Sequence, residues 1–277
     1  RVVILSLGHP IYESAATDPL VQAVEAVVRA GLVVVVAAGN NGTNPTTGQI
    51  GYAGIASPGN APSAITVGAA VTAGTDVRSG DRVATFSSRG PSWYDGIAKP
   101  DVVAPGFALV SNEVDGSTLA TTYPSLIVQE GTSKYLRLNG SSMATALVSG
   151  LVAVLIEANN YGAYQRWQAV QETLRKNQRT EYPGVPALTA NALKAMLQYS
   201  ATPLRDDQGV PFAALTQGSG EDNGLGALGL AYYDDTTQAA GSYWMTTTLA
   251  PLTNFGGVQE PWSEAIVWGT RLMRGSS

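Results

Sequence analysis

The sequence predicts an α/β fold with a partial, doubly wound parallel sheet. Three features carry that prediction. Short, wholly apolar runs recur at residues 2–6, 32–38 and 64–69, as strands covered on both faces require. Stretches of helical period with start and stop signals separate some of these runs. The strand-then-helix alternation itself favours a parallel sheet with helices on both sides.

The elements follow in order. Val2 to Ser6 reads as a buried strand from the first residues. Asp18-Pro19 opens a helix, with Asp18 as cap and Pro19 in the first turn, and Gly31 closes it. Leu20, Val24, Val27 and Val28 recur at helical spacing. The run 32–38 is a second strand, halted at Gly39-Asn40-Asn41-Gly42. Runs 64–69, 83–86 and 101–104 predict further strands, the last stopped by Pro105-Gly106. Residues 142–159 form an almost wholly apolar helix, the mark of a core element. A polar helix over 164–179 and a third over 189–199 are expected next. Beyond about Tyr233 the pattern weakens, so residues 1–235 are expected to form the main domain and 236–277 an appended segment.

Composition narrows the function classes. The 277 residues are 44% hydrophobic and only 13% charged, with a net charge of -5. Nucleic acid and anionic membrane surfaces require clustered Lys and Arg, so neither is expected as a partner. With no cysteine, disulfides, zinc-thiolate sites and cysteine nucleophiles are excluded. The longest apolar runs, 32–38 and 147–156, fall short of the roughly 20 residues that span a bilayer. No signal peptide precedes the first strand, so the chain is expected to be a processed product or a cloned piece.

Two motifs carry chemistry. Gly140-Ser141-Ser142-Met143-Ala144-Thr145 opens the apolar helix, where unpaired N–H groups and the helix dipole favour negative charge. An ordinary serine cap would read the same way. Val33 to Ala38 ends in Gly39-Asn40, where a side-chain amide could point into a cleft at the strand's carboxyl end. A polar turn would also use these residues.

Together the motifs resemble those of the subtilisin-like serine proteases, the subtilases. Gly-Ser-Ser-Met-Ala is similar to the family's nucleophile motif, and Ala-Ala-Gly-Asn to its oxyanion motif. Ser6-Leu7-Gly8 looks like the family's substrate-pairing strand. Pro58-Gly59-Asn60-Ala61-Pro62 with Ile65-Thr66-Val67-Gly68-Ala69 resembles the far wall of its specificity pocket. Phe86 to Pro91, Lys99 to Gly106 and Leu193 to Leu204 are also family-like, so the resemblance covers roughly residues 1–235. It implies a truncated sheet of subtilisin type. Ser142 would be the nucleophile and Asn40 an oxyanion donor, with Ser6, Leu7, Gly8, Ala38, Gly39 and Ser141 lining the substrate cleft.

The implied activity is endopeptidase cleavage of peptide or protein substrates through an acyl-enzyme, in a secreted enzyme without an organic cofactor. Structural calcium is common in the family, but no ligands stand out. Asp76, Asp81, Asp206, Asp207, Asp234 and Asp235 read as solvated loop acids.

Two departures matter. Ala146-Leu147-Val148-Ser149-Gly150 replaces the family's Pro-His-Val-Ala-Gly. The family's Asp and His motifs belong upstream of Ser6, and the one histidine, His9, is expected beside the cleft instead of against Ser142. The chain alone is therefore expected to be nearly inert. An esterase using Ser142 with another base, or a non-catalytic binding module, are the alternatives. The strand from Val2 to Ser6 would be an unguarded apolar edge, so a homodimer through it is expected. Rearrangement of that strand within one chain is the rival. The resemblance also requires Ser142 and Asn40 to meet at the carboxyl end of the sheet, facing one cavity.

Overall fold

The computed structural model describes residues 1–239 and 241–267. In chain order these form β1 (Val2–Leu5), α1 (Pro19–Arg29), β2 (Val33–Ala37), β3 (Ile65–Val71), β4 (Arg82–Val83) and β5 (Val102–Pro105). Next come β6 (Leu109–Asn112), α2 (Thr118–Thr122), β7 (Ile127–Glu130), β8 (Ser133–Leu138) and α3 (Ser141–Thr173). The rest are α4 (Ala190–Ser200), α5 (Ala214–Gln217), α6 (Gly224–Tyr233), β9 (Leu252–Phe255) and β10 (Val258–Pro261).

The main sheet runs β1-β2-β3-β4, and β5 also pairs with β3. The β1–β2, β2–β3 and β3–β5 pairs are parallel, and β4 is antiparallel to β3. Side chains alternate across this sheet, so β2 serves two cores. Val33 and Val35 pack with Ile65, Val67, Val102 and the α3 residues Ala144, Val148, Val152 and Leu155. Val34 and Val36 face α1 through Val21 and Val24. Helices thus cover both faces, as the continuous apolar runs predict. The α1 signals also act as read: the Asp18 carboxylate accepts from the N–H groups of Leu20 and Val21.

Several elements differ from the expectation. The strand expected at 83–86 stops at Val83, because Ser87 N donates to Ala84 O and closes a turn. The two helices expected over 142–159 and 164–179 are one 33-residue helix. No proline interrupts it, and Asn159 is spent on tertiary bonds to the carbonyls of Ala231 and Asp234. That continuity also revises the membrane reading, since α3 has the length and composition of a spanning helix. Its fully buried Ala144, Val148, Val152 and Leu155 instead lie against the sheet, as in a core helix. The three-stranded antiparallel sheet β6-β8-β7 was not foreseen, for only Leu136 among its residues is buried. Asp81 and Asp234, read as solvated acids, are 3% and 6% exposed. Among residues 236–267, Trp262 joins the same core as α3, α4 and α6.

β1 is the outer strand of the sheet, bonded to β2 alone among the described residues. Ile4 on it is 50% exposed. Leu147 and Val154 are exposed on α3 as well.

Beneath the sheet lie two lysines and one aspartate, all buried. Lys99 Nζ bonds the Asp101 carboxylate at 2.8 Å and Ala64 O at 3.0 Å. Lys194 Nζ meets Asp101 at 2.9 Å and donates to the carbonyls of Pro62 and Ala64. Thr66 N donates to Asp101 at 2.7 Å, and Thr66 Oγ1 to Gly59 O. This network holds the backbone of segment 57–66.

Two predictions follow from this packing. A Cβ on Gly162 would collide with the Tyr232 carbonyl oxygen where α3 crosses α6. Gly162→Ala is therefore expected to cost roughly 1–3 kcal/mol in denaturant unfolding, the usual cost of overpacking. The second concerns Lys99, whose ammonium burial pushes down from 10.5 to about 7 against the pull of Asp101. Between those pH values the unfolded chain binds the extra proton, so stability should rise with pH there. Denaturation midpoints from pH 7 to 10.5 should show that rise, and Lys99→Met should flatten it.

Candidate active site

The carboxyl ends of β1 and β2 bring two chain turns to the amino terminus of α3. Beyond β2, Ala38 is fully buried, with its N–H bonded to Val67 O and its carbonyl to Ala56 N. Gly39 follows at φ +105, where an added Cβ would lie 2.8 Å from Ser88 Oγ. Only glycine fits both the conformation and the space. Its turn delivers Asn40 to the surface.

Asn40 Oδ1 accepts a 2.9 Å hydrogen bond from Ser141 N. Gly39 N donates to Ser141 Oγ at 3.1 Å. Ser141 is 1% exposed, so both bonds are shielded. With Oδ1 occupied, the Asn40 amide presents Nδ2 as a donor. That nitrogen lies 3.3 Å from where a Cβ on Gly140 would stand. It therefore sits against the segment that leads into Ser142.

Ser142 is the second residue of α3 and half-buried. Its backbone N–H has no hydrogen-bond acceptor among the described residues, whereas Met143 N bonds Gly140 O. An unpaired N–H at the first turn of a long helix is a favourable place for negative charge. The first turn of α3 contains no acidic residue to oppose it. Ser142 Oγ donates to Ser6 O at 3.2 Å, and Ser6 Oγ returns a 2.9 Å bond to Ser142 O. Among the described residues the Ser142 hydroxyl has no carboxylate, imidazole or amine within hydrogen-bond reach.

Leu7 and Gly8 continue from Ser6 along the surface, and Leu7 is 53% exposed. A Cβ on Gly8 would come within 2.9 Å of Ala56 Cβ, so this segment runs close against 56–57. His9 pairs with Ser57 through backbone bonds in both directions. The His9 ring stacks on Tyr12 at 5.8 Å, and its Nδ1 faces Pro10 O at 2.7 Å. It is turned to its own loop.

Ser6, Gly39, Asn40, Ser141 and Ser142 thus come together from three elements far apart in sequence. Ser6 and Asn40 are exposed, Gly39 and Ser142 are half-buried, and Ser141 lies beneath them. A cavity of about 730 Å³ is lined by residues of α4, α6 and the segment after α6, none of them from this cluster. The cluster sets a serine hydroxyl at a helix amino terminus beside convergent N–H donors, the kind of arrangement that makes it the candidate active site. Among the described residues no group of three or more His, Asp or Glu is placed to hold a metal ion.

The pattern of the Subtilase family, Peptidase S8, matches residues 1–220. The chain belongs to the subtilase family. Among curated relatives, this subtilase is 40% identical over 160 residues to the serine protease AprX of Bacillus subtilis (strain 168). That stretch is 57% of this chain and 34% of AprX. It is 35% identical over 195 residues to pyrolysin of Pyrococcus furiosus, covering 62% of this chain and 12% of pyrolysin. The subtilase thus spans well under half the length of these two relatives. In fold it is similar to the patellamide maturation protease PatA, with a TM-score of 0.52 at 23% identity. That likeness covers 83% of this chain and 62% of PatA.

The clamp on Ser141 predicts its own sensitivity. Replacing Asn40 with Ala removes the acceptor of a shielded N–H, a loss of roughly 1–3 kcal/mol. Hydrogen exchange at Ser141 N should accelerate in Asn40→Ala while the β2–β3 amides keep their protection.

Proposed function

We propose that this chain carries the nucleophile and oxyanion hole of a subtilisin-like endopeptidase. In this reading Ser142 Oγ attacks a substrate carbonyl carbon. The oxygen that gains charge is received by Ser142 N–H and Asn40 Nδ2, the leaving amine departs, and water then hydrolyses the acyl-serine. Ser6, Leu7, Gly8 and Gly39 flank the extended substrate, while Ala38 and Ser141 hold the oxyanion turn in place. The observation that carries the reading is the pinned Asn40 amide beside an unpaired Ser142 N–H. As with its family, the substrates are peptides or proteins, and we place the enzyme outside the cell.

The hydroxyl requires a base, since an unassisted serine is a weak nucleophile. Its one bond, to Ser6 O, leads to the open edge of β1. We propose that polypeptide beyond these 277 residues adds beside that edge and supplies the base next to Ser142. A second copy of the chain, as a homodimer, is the rival occupant of the same edge. Light scattering of the purified chain separates the two, because a monomer of 28.7 kDa at micromolar concentration removes the homodimer.

By itself the chain should cleave casein no faster than background. Efficient cleavage that disappears in Ser142→Ala would contradict this, for it would require a base within the chain. In the enzyme completed by its base, Asn40→Ala should lower kcat by about 10²–10³ and leave KM nearly unchanged. That factor is the one known for the matching donor of subtilisin, a relative of this chain.

A further inference from the structure

The 730 Å³ cavity belongs to no part of the peptidase reading, and its wall is chemically mixed in a specific way. Tyr199 of α4 and Trp262 both line it and pack edge to face on each other, with ring centroids 6.0 Å apart. Trp262 spends its indole N–H on Thr253 Oγ1 at 2.8 Å, so its ring offers only carbon to the cavity. Tyr243 and Trp244 line the same cavity. They are tied to the end of α6, because Asp235 N donates to Trp244 O and Thr246 N to Tyr233 O.

Asp234 lines the same cavity. The residue is 6% exposed, yet its carboxylate accepts no hydrogen bond among the described residues. Arg166, the neighbouring guanidinium, is committed to the backbone carbonyls of Tyr232 and Asp234 at 2.6 and 2.9 Å. Desolvation pushes the Asp234 carboxyl up to about 6, with Asp235 adding to the rise and Arg166 opposing it. It remains largely ionised at pH 7.5. A largely desolvated carboxylate that keeps only a narrow opening to water through the cavity is better matched by a cation seated there than by solvent alone.

We propose that this cavity binds a small apolar cation, an aryl- or alkylammonium, with Asp234 as counter-ion and the rings of Tyr199, Tyr243, Trp244 and Trp262 as walls. Ring faces attract such cations, and an ammonium with apolar substituents matches both halves of the lining. The site is separate from Ser142, so the proposal stands or falls independently of the peptidase reading.

Titration of the purified chain at pH 7.5 with phenyltrimethylammonium, followed by tryptophan fluorescence and calorimetry, tests it. Its uncharged isostere tert-butylbenzene provides the comparison. Saturable one-to-one binding is expected, with the cation at least about tenfold tighter than the isostere. Asp234→Asn should erase that preference, and Asp235→Asn should keep it, both checked by thermal melting for an intact fold. Equal affinity for the two compounds, or no saturable binding of the cation, overturns the proposal even if Asp234→Asn fails to fold. A cation preference that survives in folded Asp234→Asn overturns it too.

Discussion

Two hydrogen bonds on Ser141 join the end of the central strand β2 to the start of α3, about a hundred positions later in the chain. Everything proposed for the site depends on them. One fixes which end of the Asn40 amide faces outward, and the other sets the distance between the Gly39 turn and the helix. Both are partly buried on the Ser141 side, which is 1% exposed, and in the proposed reading they hold the donors in place before any substrate arrives. Preorganised donors of this kind cost no rearrangement at the moment charge develops.

The clamp could not hold without a rigid frame on either side. β2 provides one, buried on both faces between α1 and α3. The buried Lys99–Asp101–Lys194 network provides the other, gripping the carbonyls of segment 57–66 from beneath. That segment's leading end pairs with His9, so the same charges that stabilise the interior also position the wall opposite Leu7 and Gly8. Burying two ammonium groups against one carboxylate is expensive. The carbonyls of Pro62 and Ala64 share the excess positive charge, which couples core energetics to the position of segment 57–66.

The sequence made the frame legible because its signals were local. Apolar runs named β2 and β3, and Asp18, Pro19 and Gly31 bounded α1 to within two residues. The site was legible for a different reason, since the Gly39-Asn40 and Gly140–Ser142 motifs each had an ordinary structural explanation and gained meaning only as a pair. What escaped was set by tertiary contact. α3 runs on past Asn159, whose amide is taken up by the carbonyls of Ala231 and Asp234, contacts that no local signal announces. The β6-β8-β7 sheet buries almost nothing, so it left no alternation to read. Asp234 reads as any loop acid in the sequence, and only the fold places it in one cavity wall with Trp244 and Trp262.

The central claim is that Ser142 sits among donors built for an acyl-transfer oxyanion. Its most direct test is the site and rate of acylation of the chain by an activated ester, p-nitrophenyl acetate, read by peptide mass spectrometry. The account predicts slow acetylation at Ser142, slower still in Asn40→Ala. Acetylation confined to other residues, or a Ser142 rate indifferent to Asn40→Ala, would contradict it.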